Sequence, residues 1–388
     1  MLTKRQNFLE TIHGGKPDRF VKQYEALQLL MGPNYSPGNP ISAASASPAP
    51  GGEAVNAWGV TVRWVAGHPG PFPVHDAAHK VVKDVTKWKS VVKMPKTDYA
   101  SKEWEQYIKI AETVDRKEYL CTGTFFTGMF EQTHYLMGID DALANFYEEP
   151  EAMHELVDYI TEYELRYAEG VCTYLKPDAL FHHDDWGTQI STFMSPAMFD
   201  EFYLPAYKKI YGYYKSHGVE VIVHHSDSYA ATLVPEMIEM GADVFQGCIT
   251  TNKVPELIKN YGGKISFMGD LNNGVLDKED WTRELVKSEV ERAILMASYP
   301  LPTSAVMESS GKLSRSIRTS ARRSMFSSST TITVYTLKIP PDGYGYQRPH
   351  IFGAFNMKTR HIAIQNFQAF FGIDNAHMVC PGCFFIGV

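Results

Sequence analysis

The chain has 388 residues, 44% of them hydrophobic, with a net charge of -7 and a pI near 6.1. That is enough apolar material for one core of barrel size, and the acidic balance gives no general attraction to nucleic acid or to anionic membranes. No apolar run approaches the roughly 18 residues needed to span a bilayer, and Met1-Leu2-Thr3-Lys4-Arg5 leads into an amphipathic helix instead of a signal-peptide core, so a cytoplasmic protein is expected.

The pattern predicts a first helix from Lys4 to His13, stopped at Gly14-Gly15, then Pro17-Asp18-Arg19 and a short strand from Phe20 to Tyr24. Residues 33 to 57 are rich in Pro, Ser, Ala and Gly and read as a surface loop, part of an insertion over about 33–76. The alternating Val60, Val62 and Trp64 predict a hairpin strand within it, covering the mouth of the fold. A helix from Lys102 to Val114 and a strand from Tyr119 to Thr122 follow, then a loop, Gly123-Thr124-Phe125-Phe126-Thr127-Gly128. A long helix opens at Pro150 and runs to about Leu175, and the strand Ala179 to Phe181 comes next. Ser195-Pro196 starts a helix that ends at His217-Gly218. The rhythm repeats through a strand (Glu220 to Val223), a helix (Ala230 to Met240), a strand (Val244-Phe245), a helix (Val254 to Tyr261) and a strand (Ile265 to Met268) that ends at Gly269-Asp270. Strands alternating with helices imply parallel β-α units, and so many in succession imply a TIM-type (β/α)8 barrel. Gly14-Gly15 and Gly262-Gly263 are helix stops; no helix opens on them as a phosphate cradle requires.

Two clusters carry chemistry. His182-His183-Asp184-Asp185-Trp186 follows one buried-strand pattern, and His224-His225-Ser226-Asp227 follows another, Val221-Ile222-Val223. Imidazoles and carboxylates at the carboxyl ends of two barrel strands share one rim, where such folds build active sites. Strand alternation sends only one of each adjacent pair inward. We favour His183, Asp185, His225 and Asp227 as catalytic groups, with His182, Asp184 and His224 open as alternatives. For each histidine the plainer reading is a bond to a neighbouring carbonyl. Phe125, Phe126, Trp186 and Tyr229 can wall an aromatic slot or simply pack in the core. Glu25 and Gln189 can bond a substituent of a ring or lie in solvent, and Asp270 faces the rim or caps the segment after it.

Pro17-Asp18-Arg19, the Phe130 to Gly138 stretch, the Pro150-Glu151 helix and the strand order resemble the uroporphyrinogen decarboxylase superfamily over residues 1–299. The resemblance implies a TIM-type barrel. The superfamily also holds corrinoid-dependent methyltransferases, and Phe181 to Gly187 with His224 to Tyr229 looks like those that take a methyl group from a methoxyarene to a cobalamin protein. A uroporphyrinogen decarboxylase needs arginines for eight substrate carboxylates, since guanidinium pairs with carboxylate in bidentate fashion. The corresponding place here, Phe20-Val21-Lys22-Gln23-Tyr24-Glu25-Ala26-Leu27, has none. In the methylcobalamin:coenzyme M branch, zinc sits on a His-x-Cys pair and a later cysteine. Here His225-Ser226-Asp227 puts aspartate where a thiolate would be, which hardens the site toward oxygen and nitrogen ligands. The resemblance therefore implies transfer of a methyl group from a small methylated donor to a separate corrinoid protein. Zn²⁺ on His225, Asp227 and Asp185 would act as Lewis acid, or the same residues as proton donors to a departing phenolate. Cobalamin would come on the partner, and a homodimer is allowed. The alternatives are a true uroporphyrinogen decarboxylase and an inactive barrel kept as a binding module.

Residues 300–388 break the rhythm. They hold nine Lys or Arg against three acids, and ten serines mix with Arg315, Arg318, Arg322 and Arg323 between Leu301 and Thr333. This basic segment lacks the apolar period of a last strand and helix, so the eighth β-α unit reads as incomplete or aberrant, and the tail as disordered or frame-shifted. His377-x2-Cys380-x2-Cys383 is a weak half of a zinc motif. The five cysteines, odd in number and scattered, predict reduced thiols.

Overall fold

The computed structural model describes residues 1–31, 38–42, 44–66, 68, 70–276, 280–297 and 332–333. In chain order the elements are α1 (Lys4–Ile12), β1 (Leu27–Leu29), β2 (Glu53–Val55), β3 (Thr61–Arg63), β4 (Phe72–Pro73), α2 (Trp88–Val91), α3 (Ser101–Glu112) and β5 (Leu120–Phe125). Then come α4 (Met129–Met137), α5 (Ile139–Glu148), α6 (Pro150–Tyr174), β6 (Ala179–His183), α7 (Pro196–Phe202), α8 (Leu204–Ser216) and β7 (Val221–His225). The last are α9 (Val234–Met240), β8 (Val244–Cys248), α10 (Val254–Tyr261), β9 (Ser266–Gly269), α11 (Asn273–Leu276), α12 (Arg283–Ala297) and β10 (Ile332–Thr333).

Among the described residues, β1, β5, β6, β7, β8, β9 and β10 form one sheet in that order, every pair parallel. Parallel strands laid down in chain order with helices between them are the wall of a TIM-type fold. Leu27, Leu120, Ala179, Phe181, Val221, Val223, Val244 and Met268 alternate to one side and form a single apolar cluster with Phe8, Val21, Tyr24 and Phe126. The other face of the sheet packs under the helices in a second, larger cluster.

α1 closes the amino end. Its cap is a reciprocal Thr3–Gln6 pair, and Arg5 reaches Glu220 at 2.7 Å and Asp178 at 3.3 Å, residues that lead into β7 and β6. One helix thereby ties neighbouring strand entries together while its Phe8 joins the inner apolar cluster.

The structure corrects several expectations. Phe20 to Tyr24 is not a strand: Glu25 N–H donates to Lys22 and Leu27 N–H to Tyr24, a turn that holds Tyr24 at φ 21°, and the strand starts only at Leu27. Residues 33–57 are not all loop, because Glu53–Val55 pairs antiparallel with Thr61–Arg63, which pairs with Phe72–Pro73. Trp58, Val60 and Val62 give this small sheet its own buried face, and Trp58 meets Tyr159 and Tyr163 of α6 edge-on. The helix expected from Ser195 to His217 breaks at Tyr203, since Pro205 has no N–H and its ring excludes a carbonyl one turn back. β5, β6 and β7 each run two or three residues further than their apolar runs suggested. Beyond Ala297 only Ile332–Thr333 is described, so the expected basic tail and the His377/Cys380/Cys383 motif lie outside the described residues. Among those described, no helix is long and apolar enough to cross a membrane.

Phe181 is fully buried, within ring-contact distance of Tyr24, Phe126 and His225. Phe181→Ala removes the centre of the inner cluster and is expected to cost about 3–5 kcal/mol in a urea unfolding titration. A loss below about 1 kcal/mol would mean that the inner cluster is not a close-packed core.

Candidate metal-binding site at the carboxyl strand ends

Because β6 and β7 persist through their histidines, alternation decides which way each imidazole faces. The register pairs Ala179 with Val221, Phe181 with Val223 and His183 with His225, so the two inner histidines continue the inner apolar rows. Their rings lie 4.4 Å apart and nearly parallel. His182 pairs with His224, and both face the helices, buried completely.

Each inner imidazole is held from behind. His183 Nδ1 bonds Glu131 Oε2 of α4 at 2.7 Å, and His225 Nδ1 bonds Gln246 Oε1 of β8, the residue in register beside it. The two Nε2 atoms are buried and make no hydrogen bond, as is true of His182 Nδ1 and His224 Nε2 on the outer side. Asp185 Oδ1 sits 3.9 Å from His225 Nε2 and also accepts the Asp227 N–H at 2.6 Å. One ligand atom each from His183, Asp185 and His225 lies within 4.8 Å of the others. Two imidazoles anchored through one nitrogen and bare at the other, beside a carboxylate, form the donor set of a divalent transition metal.

Electrostatics sets His183 apart from the other three imidazoles. Burial lowers His183, but Glu131, Asp185 and Asp184 outweigh it and push the imidazole up to about 10. Burial raises Glu131 to about 7 against the pull of His183. His225 is lowered to about 4 by burial and by the neighbouring His183, so it offers a neutral ring. On the helix side, His182 Nε2 meets Glu164 Oε2 at 2.9 Å, with both residues almost wholly buried. Burial there drives His182 down to about 3 and Glu164 well up, which favours a neutral pair with the carboxyl as donor.

The remaining sequence candidates scatter. Phe126 stays on the inner side, 5.9 Å from the His183 ring. Phe125 does not: β5 continues through it, so it turns to the helices, stacks on His182 at 5.1 Å and packs against Tyr167. Trp186 is buried among Phe199, Tyr207 and His224, its indole N–H on Asp184, and so is core instead of slot wall. Tyr229 stands half-exposed at the rim, where its N–H donates to Thr188. Gln189 is exposed on the same rim, its carbonyl taking the Thr251 hydroxyl. Glu25 lies at the opposite, amino end, facing Arg19, because the turn that carries it precedes β1. Asp227 is half-buried beside the triad without joining it. Asp270 is buried at the end of β9, held by Arg292 of α12, and is raised to about 6 by burial. Cys248 would follow Val244 and Gln246 inward, but a bulge at Gly247, φ 87°, turns it into the outer cluster.

Glu131 and Gln246 were missed. Gln246 was within reach, two residues after inward Val244; Glu131 was not, because α4 was never assigned and nothing local marks the one acid on it that meets β6.

The fold and the site define an α/β class of protein whose parallel sheet is of the TIM type, with a metal-capable cluster at the carboxyl ends of two adjacent strands. The chain belongs to the uroporphyrinogen decarboxylase (URO-D) family, whose model matches residues 54–299. Among solved structures it is similar to a methyltransferase from Methanosarcina mazei, with a TM-score of 0.50 at 16% sequence identity, covering 76% of this chain and 90% of that one. No curated protein matches the sequence.

The neutral outer pair gives a test. Glu164→Gln keeps a donor for His182 Nε2 and is expected to hold stability within about 1 kcal/mol of wild type, whereas Glu164→Ala orphans a buried nitrogen and loses about 1–3 kcal/mol in urea at neutral pH. Equal losses in both variants would instead indicate an ionic pair.

Proposed function

We propose that this protein is a methyltransferase that moves a methyl group from a small methylated donor, such as a methoxyarene, to a corrinoid carried by a separate protein. We further propose a closed eight-stranded barrel as its full fold. The observation that carries the reading is the pair of unpartnered Nε2 atoms on His183 and His225, each fixed through Nδ1, beside Asp185. Family membership and the likeness to a methyltransferase support it.

His183, His225 and Asp185 would hold Zn²⁺, an all-nitrogen-and-oxygen set without thiolate. When bound, the ion supplies Lewis acidity to an ether oxygen, making a phenolate a better leaving group. The chain's own groups do the rest. Glu131 and Gln246 hold both rings through Nδ1 and leave Nε2 free for the ion. Asp227, tied to Asp185 through its N–H, stands as an additional acid beside the leaving oxygen. Phe126, 5.9 Å from the His183 ring, would supply an apolar contact for a donor with one oxygenated edge. Asp227 in place of a thiolate fits a donor that needs no thiol activation.

Metal analysis of the purified protein is expected to find about one zinc per chain in wild type and none in His225→Ala. Demethylation of a methoxyarene with a reconstituted cobalt(I) corrinoid protein should fall at least about 100-fold in that variant. Decarboxylation of a porphyrinogen by the wild type, with no methyl transfer, would sink the reading in favour of the decarboxylase branch.

A further inference from the structure

Asp184 lies between two of the triad residues in sequence yet points to the helix side, fully buried. Its carboxylate collects donors from three separate segments. Oδ2 accepts the Phe130 N–H at 2.9 Å, Oδ1 accepts the Glu131 N–H at 2.8 Å, and Oδ2 also takes the Trp186 indole N–H at 2.8 Å and the Tyr207 hydroxyl. Phe130 and Glu131 are the second and third residues of α4, whose orphan amides normally bond the side chain of the residue just before the helix. Here that residue is Gly128, which has no side chain to offer. A Cβ at Gly128 would lie 2.5 Å from Asp184 Cβ and 2.8 Å from His182 Cε1, so the absent side chain is what admits the aspartate. The Gly128 N–H meanwhile donates to the His183 carbonyl at 2.8 Å. The start of α4 is thus pinned to the end of β6 twice, and the residue pinned at its third position is Glu131, whose own carboxylate reaches back over to His183 Nδ1.

We propose that Asp184 is a positioning residue: by capping α4 from the neighbouring strand, it fixes Glu131 against His183 Nδ1 and so aims His183 Nε2 at Asp185 and His225. The inference rests on the metal-site reading for its purpose, and its geometry can be tested without metal. In metal-free protein the His183 Nδ1 proton, shared with Glu131, is expected as a slowly exchanging, far-downfield proton NMR resonance, assigned by its absence in Glu131→Ala. Asp184→Asn, which leaves one side-chain acceptor for two helix amides, is expected to abolish or shift that resonance and to weaken zinc binding roughly 10- to 100-fold. In the Glu131→Ala background the same substitution is expected to weaken zinc binding no further, because Asp184 acts through Glu131. Where Asp184→Asn does not fold, Tyr207→Phe, which removes a single donor, should shift the resonance and weaken zinc binding about threefold.

A variant that melts earlier but keeps the wild-type resonance and zinc affinity overturns the proposal, as does a loss that multiplies with that of Glu131→Ala. Wild type that shows the resonance, loses it on Asp184→Asn and binds no zinc supports the positioning role while removing the metal reading.

Discussion

The register between β6 and β7 is the constraint from which the site follows. Setting Ala179 beside Val221 brings His183 beside His225 four residues later, and a slip of one position would exchange every inner side chain for an outer one. Phe181 and Val223, one step below, show what holds the register: both are fully buried in the inner cluster, so any slip would push them under the helices and bring polar rings into the core. Apolar packing thus determines where the imidazoles point.

Four histidines on two strands would be costly if their nitrogens were merely buried. The molecule treats the two sides differently. The outer imidazoles each bond one partner in the helix layer, His182 Nε2 on Glu164 and His224 Nδ1 on Tyr211, and leave their other nitrogens among aromatic rings, Phe125 over His182 and Trp186 beside His224. The inner ones are satisfied only at Nδ1, by Glu131 and Gln246, and left bare at Nε2. What sets the inner pair apart is convergence on a carboxylate, with one ligand atom each from His183, Asp185 and His225 within 4.8 Å of the others.

Much of this was legible in the sequence. Apolar runs ending in His-His locate β6 and β7, but the two-residue period says only that one of each adjacent pair faces inward; the preference for His183, Asp185, His225 and Asp227 over His182, Asp184 and His224 needed the strand register to fix its phase. What alternation could not supply was the length of the strands. Phe125 falls inside the loop expected from Gly123, whereas it is the last residue of β5, and that difference moves it from a slot wall to the helix layer. Glu25 was misplaced for a related reason, since a turn at Tyr24 delays β1 and leaves the acid at the wrong end. Glu131 depends on a contact between residues 52 apart in sequence, for which no local periodicity exists. The Gly247 bulge likewise reverses Cys248 without altering any composition signal.

The α1 seal at the amino end has a consequence for traffic. Phe8, Val21 and Tyr24 pack with Phe181 in one buried apolar cluster, which leaves the carboxyl ends of the strands as the approach to His183 and His225 that disturbs no core packing. For the proposed methyl transfer, donor and corrinoid protein would then share one entrance, so the small donor would bind before the bulkier partner.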